Sequence, residues 1–293
     1  MNSLTIGMPV FNDVNFIEQS IQSILQQTFY DFTLIISDDG STDGSAEICK
    51  KYANQDNRII YIRQEKNLGI SKNMEFLLNQ AKTKYFMWAG DDDLYDKDFV
   101  KALINLLEID ENTISAFSVC AFIDERNNII KDNISYDYRN PNTYKRLKFF
   151  IKNIFDQFGY GIFKREYIKD VKFPIWWWPN KKTPYNNIFP TLCYYLAKGN
   201  FILSKEQLFY KRMKTNTNVN HFIVGKNNAI KESFAYWLRK FNLFCFSVKS
   251  IYRASTLQLA LLVTPNLFYY WFLVPSWKQI LLASKSFFKN RRK

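Results

Sequence analysis

The chain has 293 residues, of which 47% are hydrophobic and 18% aromatic, and this apolar content excludes an intrinsically disordered protein. The four cysteines (Cys49, Cys120, Cys193 and Cys245) are far apart, which excludes a disulfide framework or a zinc site and indicates a reducing compartment. The net charge is +13, and the first residues lack the segments of a signal peptide, so we expect a cytoplasmic location.

The first hundred residues alternate between strand-like and helix-like segments. Short apolar runs predict strands at Leu4–Met8, Phe32–Ile36, Ile59–Ile62 and Tyr85–Trp88. Apolar residues at helical spacing predict a helix after each strand, in NFIEQSIQSILQQ, AEICKKYA, SKNMEFLLNQA and KDFVKALINLL. This alternation indicates βαβ units and a mostly parallel sheet, in which ligands bind beyond the carboxyl ends of the strands.

The pattern loosens after about Ile114. We predict strands in SAFSVCAFI, GYGIF and FILSKEQLFYKR, and helices in TYKRLKFFIKNIF and TLCYYLAKG, with Gly199 closing the second helix. WWWPNKKTPYNN is typical of an irregular loop. A boundary near Asn218–Gly225 separates a domain over residues 1–220 from a helical extension over 221–293.

Polar clusters follow each of the first four predicted strands. They are PVFND, SDDGSTD, EKNLG and GDDD, and we expect them to converge on one crevice. The last contains three adjacent carboxylates, which suit a hard divalent cation that offsets their repulsion. The alternative is a solvated turn before the next helix, with Asp96 or Asp98 near its start.

Four motifs taken together resemble the family 2 glycosyltransferases with the GT-A fold. They are MPVFN (8–12), SDDGSTDGS (37–45), NLGISKN (67–73) and AGDDDLY (89–95), in matching order and spacing. The resemblance covers the first 110 residues well and fades by about residue 215. It implies an α/β fold with a Rossmann-like, mostly parallel central sheet flanked by helices, a nucleotide-binding half at 1–110 and an acceptor-side half at 111–220.

The resemblance also implies roles for individual residues. The donor nucleotide would contact Pro9, Phe11, Asn12, Asp38, Asp39, Asn67, Gly69 and Lys72. Asp91 would face the ribose and the metal, Asp92 would bind Mn²⁺ or Mg²⁺ directly, and Asp93 would lie beside the donor sugar or brace the loop. His221, the only histidine, is a further metal-ligand candidate, although a loop histidine without such a role is the simpler interpretation.

The implied reaction is inverting sugar transfer from a nucleotide-diphosphate sugar, with UDP-sugars as the first expectation, and it needs a general base. The family usually has an acidic residue where this chain has Asn186 and Asn187. The base therefore stays unassigned, with Asp124, Asp156 and Asp170 as candidates. Alternatively, the position-by-position match to the family is wrong around Asn186 and Asn187, or the chain is a non-catalytic nucleotide-sugar-binding subunit.

The C-terminal segment is basic and aromatic. Beyond Glu232 there are ten cations and no acid, interleaved with large apolar side chains, which favours an anionic membrane surface over a nucleic acid as the partner. The uncharged stretch Ala254–Trp277 is long enough to span a bilayer, but Pro265 and Pro275 interrupt it. Interfacial helices flanked by Arg253 and the terminal RRK, or packing onto the remaining protein, are the alternatives.

These features predict a peripheral or monotopic protein on the inner face of the cell membrane. A membrane location suits a glycan or lipid-linked glycan acceptor, such as one used in bacterial surface polysaccharide synthesis. A nucleotidyltransferase is a weaker alternative, because MPVFNDVNF has no Gly-rich, basic triphosphate loop. The oligomeric state is left open.

Overall fold

The computed structural model describes residues 2–173, 175–177, 184–186, 188–214, 229–269 and 272. Its first part alternates strands and helices: β1 (Leu4–Val10), α1 (Ile17–Leu25), β2 (Phe32–Asp38), α2 (Ser45–Gln55), β3 (Ile59–Arg63), α3 (Ile70–Gln80) and β4 (Tyr85–Trp88). Next come β5 (Leu94–Tyr95) and α4 (Phe99–Ile109). The four strands and four helices predicted for this part are confirmed.

The second part is less regular. It contains β6 (Thr113–Ile123), β7 (Ile129–Ile134), α5 (Thr143–Lys152), a 3₁₀ turn (Gln157–Tyr160), β8 (Ile162–Lys164), α6 (Arg165–Ile168), β9 (Ile175–Trp177), β10 (Pro184–Asn186), α7 (Phe189–Lys198) and β11 (Asn200–Arg212). Two helices follow, α8 (Ala229–Ala254) and α9 (Leu257–Phe268).

Two predictions for this part were wrong. GYGIF was expected to be one strand, but the 3₁₀ turn takes its first residues and only β8 is extended, because glycine has low strand propensity. WWWPNKKTPYNN was expected to be irregular throughout, but β9 and β10 pair antiparallel, with Trp176 opposite Tyr185. Aromatic residues favour such pairing.

The main sheet runs in the order β3-β2-β1-β4-β8-β6-β11-β5, with β7 paired to β6. Strands β1 to β4 are mutually parallel, and β8 is antiparallel to both β4 and β6. Helices α1, α2 and α4 bury apolar residues on one face of the sheet, and α3, α5 and α7 bury theirs on the other. The carboxyl ends of β1, β2 and β4 therefore lie at one edge, where the polar clusters follow.

Gly199 ends α7 as predicted, but for a different reason. Its φ of −177° is extended backbone that any residue adopts, so the left-handed cap of many helix ends is not formed here. A Cβ at this position would overlap the side chain of Ile114 on β6. The glycine therefore allows β11 to leave the helix close to its neighbouring strand.

Helices α8 and α9 pack against the remainder of the chain. Ile251, Val263 and Leu267 are fully buried in the same apolar cluster as residues of α5 and α7. The helices separate at Ser255, and Thr256 caps α9 by accepting a hydrogen bond from the Leu259 amide at 3.1 Å. Pro265, expected to interrupt the apolar stretch, lies inside α9. The predicted boundary at 218–225 lies outside the described residues.

Among the described residues, no helix is both long enough and apolar enough to cross a membrane. Of the three alternatives for this segment, packing onto the remaining protein is the one that agrees with the contacts of α8 and α9.

Candidate functional site

A cavity of about 580 Å³ opens beyond the carboxyl ends of β1, β2 and β4. Several strand-end segments supply its wall, together with the 3₁₀ turn before β8. The polar clusters predicted to converge on a crevice thus meet at this edge. Phe173 and Ile188 close the apolar side of the same cavity.

The cavity brings together most of the residues expected to contact a nucleotide. Those in its wall are Pro9, Phe11, Asp39, Asn67, Gly69 and Asp91, with Asp92 and Asp93 beside them. Asn12, Asp38 and Lys72 are not part of the wall. The last of these is exposed on α3.

Asp38 is completely buried and holds neighbouring backbone in place. Its carboxylate accepts hydrogen bonds from the Ser41 amide at 2.8 Å and the Tyr61 hydroxyl at 2.7 Å, and it pairs with Arg63 at 2.7 Å. Burial raises the pKa of Asp38, these hydrogen bonds and the Arg63 charge lower it, and the net direction is downward. The side chain therefore stabilises the turn after β2 and has no oxygen directed at the cavity.

Asp39, the next residue, holds the loop before α3. It accepts hydrogen bonds from the amides of Leu68 at 2.6 Å and Gly69 at 2.9 Å, and burial raises its pKa. Gly69 has a φ of +79°, in the region that favours glycine. The two hydrogen bonds to Asp39 therefore hold the Asn67–Gly69 segment in the cavity wall.

Asn12 also shapes a loop instead of facing the cavity. Its φ is 53°, its amide donates to the Ser41 hydroxyl at 3.0 Å, and its side-chain oxygen accepts from the Thr42 amide at 2.8 Å. These bonds join the loop after β1 to the loop after β2. The next residue, Asp13, is thereby turned towards the residues that follow β4.

Three carboxylates form an acidic cluster: Asp13, Asp91 and Asp92 each offer an oxygen within 4.8 Å of the others. Mg²⁺ and Mn²⁺ prefer oxygen ligands at about 2.1 Å, and carboxylates grouped this closely are the kind of ligands that hold them. Burial and the neighbouring negative charges raise the pKa of Asp91 well above its usual value. The donor set therefore fits a hard divalent cation.

Two basic residues at the end of β11 contact this region. Lys214 Nζ lies 2.6 Å from Asp13 Oδ2 and 2.8 Å from Asp92 Oδ2. Arg212 donates to the main-chain oxygen of Asp92 at 2.8 Å, and its own amide donates to Asp93 Oδ1 at 2.9 Å. The end of β11 thus holds the Asp91–Asp93 turn from one side.

Asp93 is 3% exposed, and its pKa is raised to about 7, chiefly because burial disfavours the charged form. A Cβ on Gly90 would approach Asp93 Oδ2 to 2.5 Å, so the glycine is required for the turn to fold back on itself. Asp93 therefore stabilises the turn from its buried side, and part of the Asp93 surface also lines the cavity.

The three acids considered as general bases lie in different places. Asp156 lines the cavity and pairs with Lys211 at 2.7 Å. Asp124 accepts hydrogen bonds from Arg126 and Asn128 within the turn before β7, and Asp170 is exposed after α6, both away from the cavity wall. Asn187 and His221 lie outside the described residues.

Sequence reasoning missed Asp13, Arg212 and Lys214. Asp13 belongs to the PVFND cluster, so its position after β1 was an available signal. No local pattern marks Lys214, because it meets Asp13 across 201 residues of chain.

The model of the family described as Glycosyl transferase family 2 matches residues 5–172, more than half of the chain. The chain belongs to this family. The match covers every strand-end segment of the cavity wall, together with Asp156 and the 3₁₀ turn that follows it.

Curated relatives of this family 2 chain carry glycosyltransferase names. Glycosyltransferase GlyA of Streptococcus pneumoniae is 36% identical over 102 residues, which are 35% of this chain and 14% of GlyA. The GalNAc(5)-diNAcBac-PP-undecaprenol beta-1,3-glucosyltransferase of Campylobacter jejuni is 24% identical over 200 residues, 68% of this chain and 63% of that protein. The chain thus spans less than two thirds of either relative.

Solved structures share the fold. S. aureus TarS 1–349 in complex with UDP-GlcNAc has a TM-score of 0.61 at 15% identity, with 91% of this chain and 72% of TarS covered. Mannosyltransferase PcManGT from Pyrobaculum calidifontis, in complex with GDP-Man and Mn²⁺, has a TM-score of 0.53 at 14% identity, with 95% and 83% covered. The predicted GT-A-type fold is confirmed.

Proposed function

We propose that this family 2 chain transfers a sugar from a nucleotide-diphosphate sugar, with a UDP-sugar as the first expectation, to a hydroxyl of a glycan or lipid-linked glycan. The observation that carries the proposal is the cavity, where the nucleotide-binding segments expected from the sequence meet an acidic cluster. The complexes of TarS with UDP-GlcNAc and of PcManGT with GDP-Man support a donor of this class.

Asp13, Asp91 and Asp92 would hold a divalent cation, Mn²⁺ or Mg²⁺, at the edge of the cavity. Such an ion, when bound, would neutralise the charge that develops on the leaving diphosphate. The Phe11 amide donates to Asp91 Oδ2 at 3.3 Å and so orients this carboxylate. The nucleoside would lie between Phe11, Asp39 and the Asn67–Gly69 segment.

Asp156 is the best placed general base of the three acids named above. The other acids in the cavity wall are Asp39, which holds a loop, and Asp91–Asp93, which form the cation-binding turn. The carboxylate of Asp156 would accept the proton of the acceptor hydroxyl while the new bond to the sugar forms and the bond to the diphosphate breaks. Attack from the face opposite the leaving group inverts the anomeric configuration.

A non-catalytic nucleotide-sugar-binding subunit is the second candidate function. It is favoured by the neutral Asn187 at the position where the family usually has an acid. In that case the cavity would bind a donor without cleaving it.

Donor turnover tests the proposal directly. With Mn²⁺ and a panel of radiolabelled UDP- and GDP-sugars, we expect at least one donor to be hydrolysed slowly, and faster when a lipid-linked glycan extract is added. Product formation is followed by chromatography of the released nucleotide and labelled lipid. Donor binding by calorimetry with no hydrolysis or transfer for any acceptor would support the non-catalytic subunit instead.

We also propose that α9 contacts an anionic membrane surface at the inner face of the cell membrane, as bacterial surface polysaccharide assembly would require. Its outward side chains include Leu257, Leu261 and Leu262, each more than half exposed. Lys249 and Arg253 are exposed on the last turns of α8, the helix that directly precedes α9. Apolar side chains next to cations suit a surface of acidic lipids.

Replacing Leu261 and Leu262 together with Gln should lower co-sedimentation with vesicles containing acidic lipid by about tenfold, because two side chains lose their apolar contact. The matched control is Ile109→Gln, which changes a 79% exposed side chain on α4. Point changes are preferable to truncation, since α8 and α9 bury core residues. Equal sedimentation of the double variant and the control would contradict a membrane role for α9.

A further inference from the structure

Lys214 occupies a position within the acidic cluster itself. Its ammonium contacts one oxygen of Asp13 and one of Asp92, and its side chain is three-quarters buried, with 25% exposed. The Asp13 side chain is 9% exposed and that of Asp92 is 24% exposed, so solvent screens this group only partly. The contacts are those of a cation bound between two ligands.

Neighbouring basic side chains have other partners. The Arg212 guanidinium donates to main-chain oxygens of Asp92 and Asp124, and Lys211 pairs with Asp156. Within the described residues, the ion pairs of Asp13 and Asp92 are both made by Lys214. The Lys214 ammonium, two residues after the end of β11, is therefore the positive charge that pairs with these two carboxylates of the cluster.

The ammonium and a divalent ion would need the same place. A Mg²⁺ or Mn²⁺ ion lies about 2.1 Å from each carboxylate oxygen, and the ammonium lies 2.6 and 2.8 Å from oxygens of two of the same carboxylates. A divalent ion bound there would stand only a few ångströms from a second positive charge. Lys214 must therefore leave, or turn away, before the three carboxylates can surround the ion.

We propose that Lys214 is a tethered cation that competes with the divalent ion for Asp13 and Asp92, so that the ion binds in exchange for the lysine. The exchange rests on the proposed function, in which the cluster holds a metal with the donor. The exchange makes the donor-free protein a weak metal binder. It also makes nucleotide and metal bind together, because the diphosphate oxygens would be additional metal ligands for which Lys214 does not compete. Lys214 thus sets the metal affinity of the site.

Mn²⁺ binding to the full chain, measured from the electron paramagnetic resonance signal of the free ion at pH 7.5, tests the exchange. Without nucleotide, Lys214→Met should bind Mn²⁺ about tenfold more tightly than the wild type, because two partly buried ion pairs no longer compete. Lys84→Met is the matched control, since it removes a remote lysine paired with Glu108, and its affinity should equal that of the wild type.

Two further variants make the result specific. Lys214→Arg keeps the positive charge and should stay within about threefold of the wild type. Adding Asp92→Asn to Lys214→Met should remove the gain, because the gain arises at the cluster. Thermal melting confirms that each variant is folded before the titration.

The outcomes separate this proposal from the proposed function. If UDP strengthens Mn²⁺ binding but Lys214→Met binds the ion no more tightly than the wild type, the exchange is wrong and the metal site stands. If neither protein binds Mn²⁺ even with UDP present, the metal part of the proposed function falls and the exchange falls with it.

Discussion

Asp92→Asn should abolish cation-dependent donor binding and lower sugar transfer by about 10²–10³-fold, because it removes one of three carboxylates that would hold the ion. Asp92 also anchors Lys214 at 2.8 Å, so the variant disturbs both charges that could neutralise the cluster. Nucleotide binding is measured by calorimetry with and without Mn²⁺, and transfer is measured with the best donor.

Asp137→Asn is a suitable control for the same change in charge. Asp137 is exposed, pairs with Arg139 at 3.4 Å and lies outside the cavity wall. Asp91→Asn should weaken metal-dependent binding without abolishing it, because Asp92, the expected direct ligand, keeps its carboxylate. Unchanged Mn²⁺ dependence in Asp92→Asn would show that this carboxylate is not a ligand.

Asp156→Asn should lower kcat by about 10²–10⁴-fold while leaving the donor affinity near that of the wild type, because a neutral amide cannot accept the acceptor proton. Asp156 lies in the cavity wall on the 3₁₀ turn side, apart from the cation cluster at the ends of β1 and β4. Kinetics over a range of acceptor concentrations, with donor binding measured separately, would separate chemistry from binding.

Two controls accompany the Asp156→Asn variant, one at its ion-pair partner Lys211 and one at a remote acid. Lys211→Met removes the partner at 2.7 Å but keeps the carboxylate, so kcat should fall less than about tenfold. Asp170→Asn removes an exposed acid outside the cavity wall and should leave kcat unchanged. If Asp156→Asn retains kcat within about threefold of the wild type, the proton acceptor is a different group.

The early part of the fold was predictable because its signals are local. Apolar runs such as FTLII and helical spacing as in IEQSIQSIL specify elements within a few residues, and short connections between them imply parallel strands. The parallel arrangement in turn predicts that strand-end clusters meet at one edge. The cavity forms at that edge.

The roles of adjacent carboxylates were less predictable. Asp38 and Asp39 are neighbours in sequence, yet one is buried against Tyr61 and Arg63 while the other lies in the cavity wall. The difference depends on β3, which pairs with β2 and places the partners of Asp38. A motif match assigns a role to the pair but does not separate the two side chains.

The sequence by itself determined the family, the strand–helix order and the edge at which the site lies, because each depends on residues close together in the chain. Only the tertiary structure placed Asp13 in the acidic cluster, Asp156 in the cavity and Lys214 between two carboxylates. It also decided that α8 and α9 pack on α7 and α5. These contacts join distant segments, and they depend on how side chains fill space once the sheet has formed.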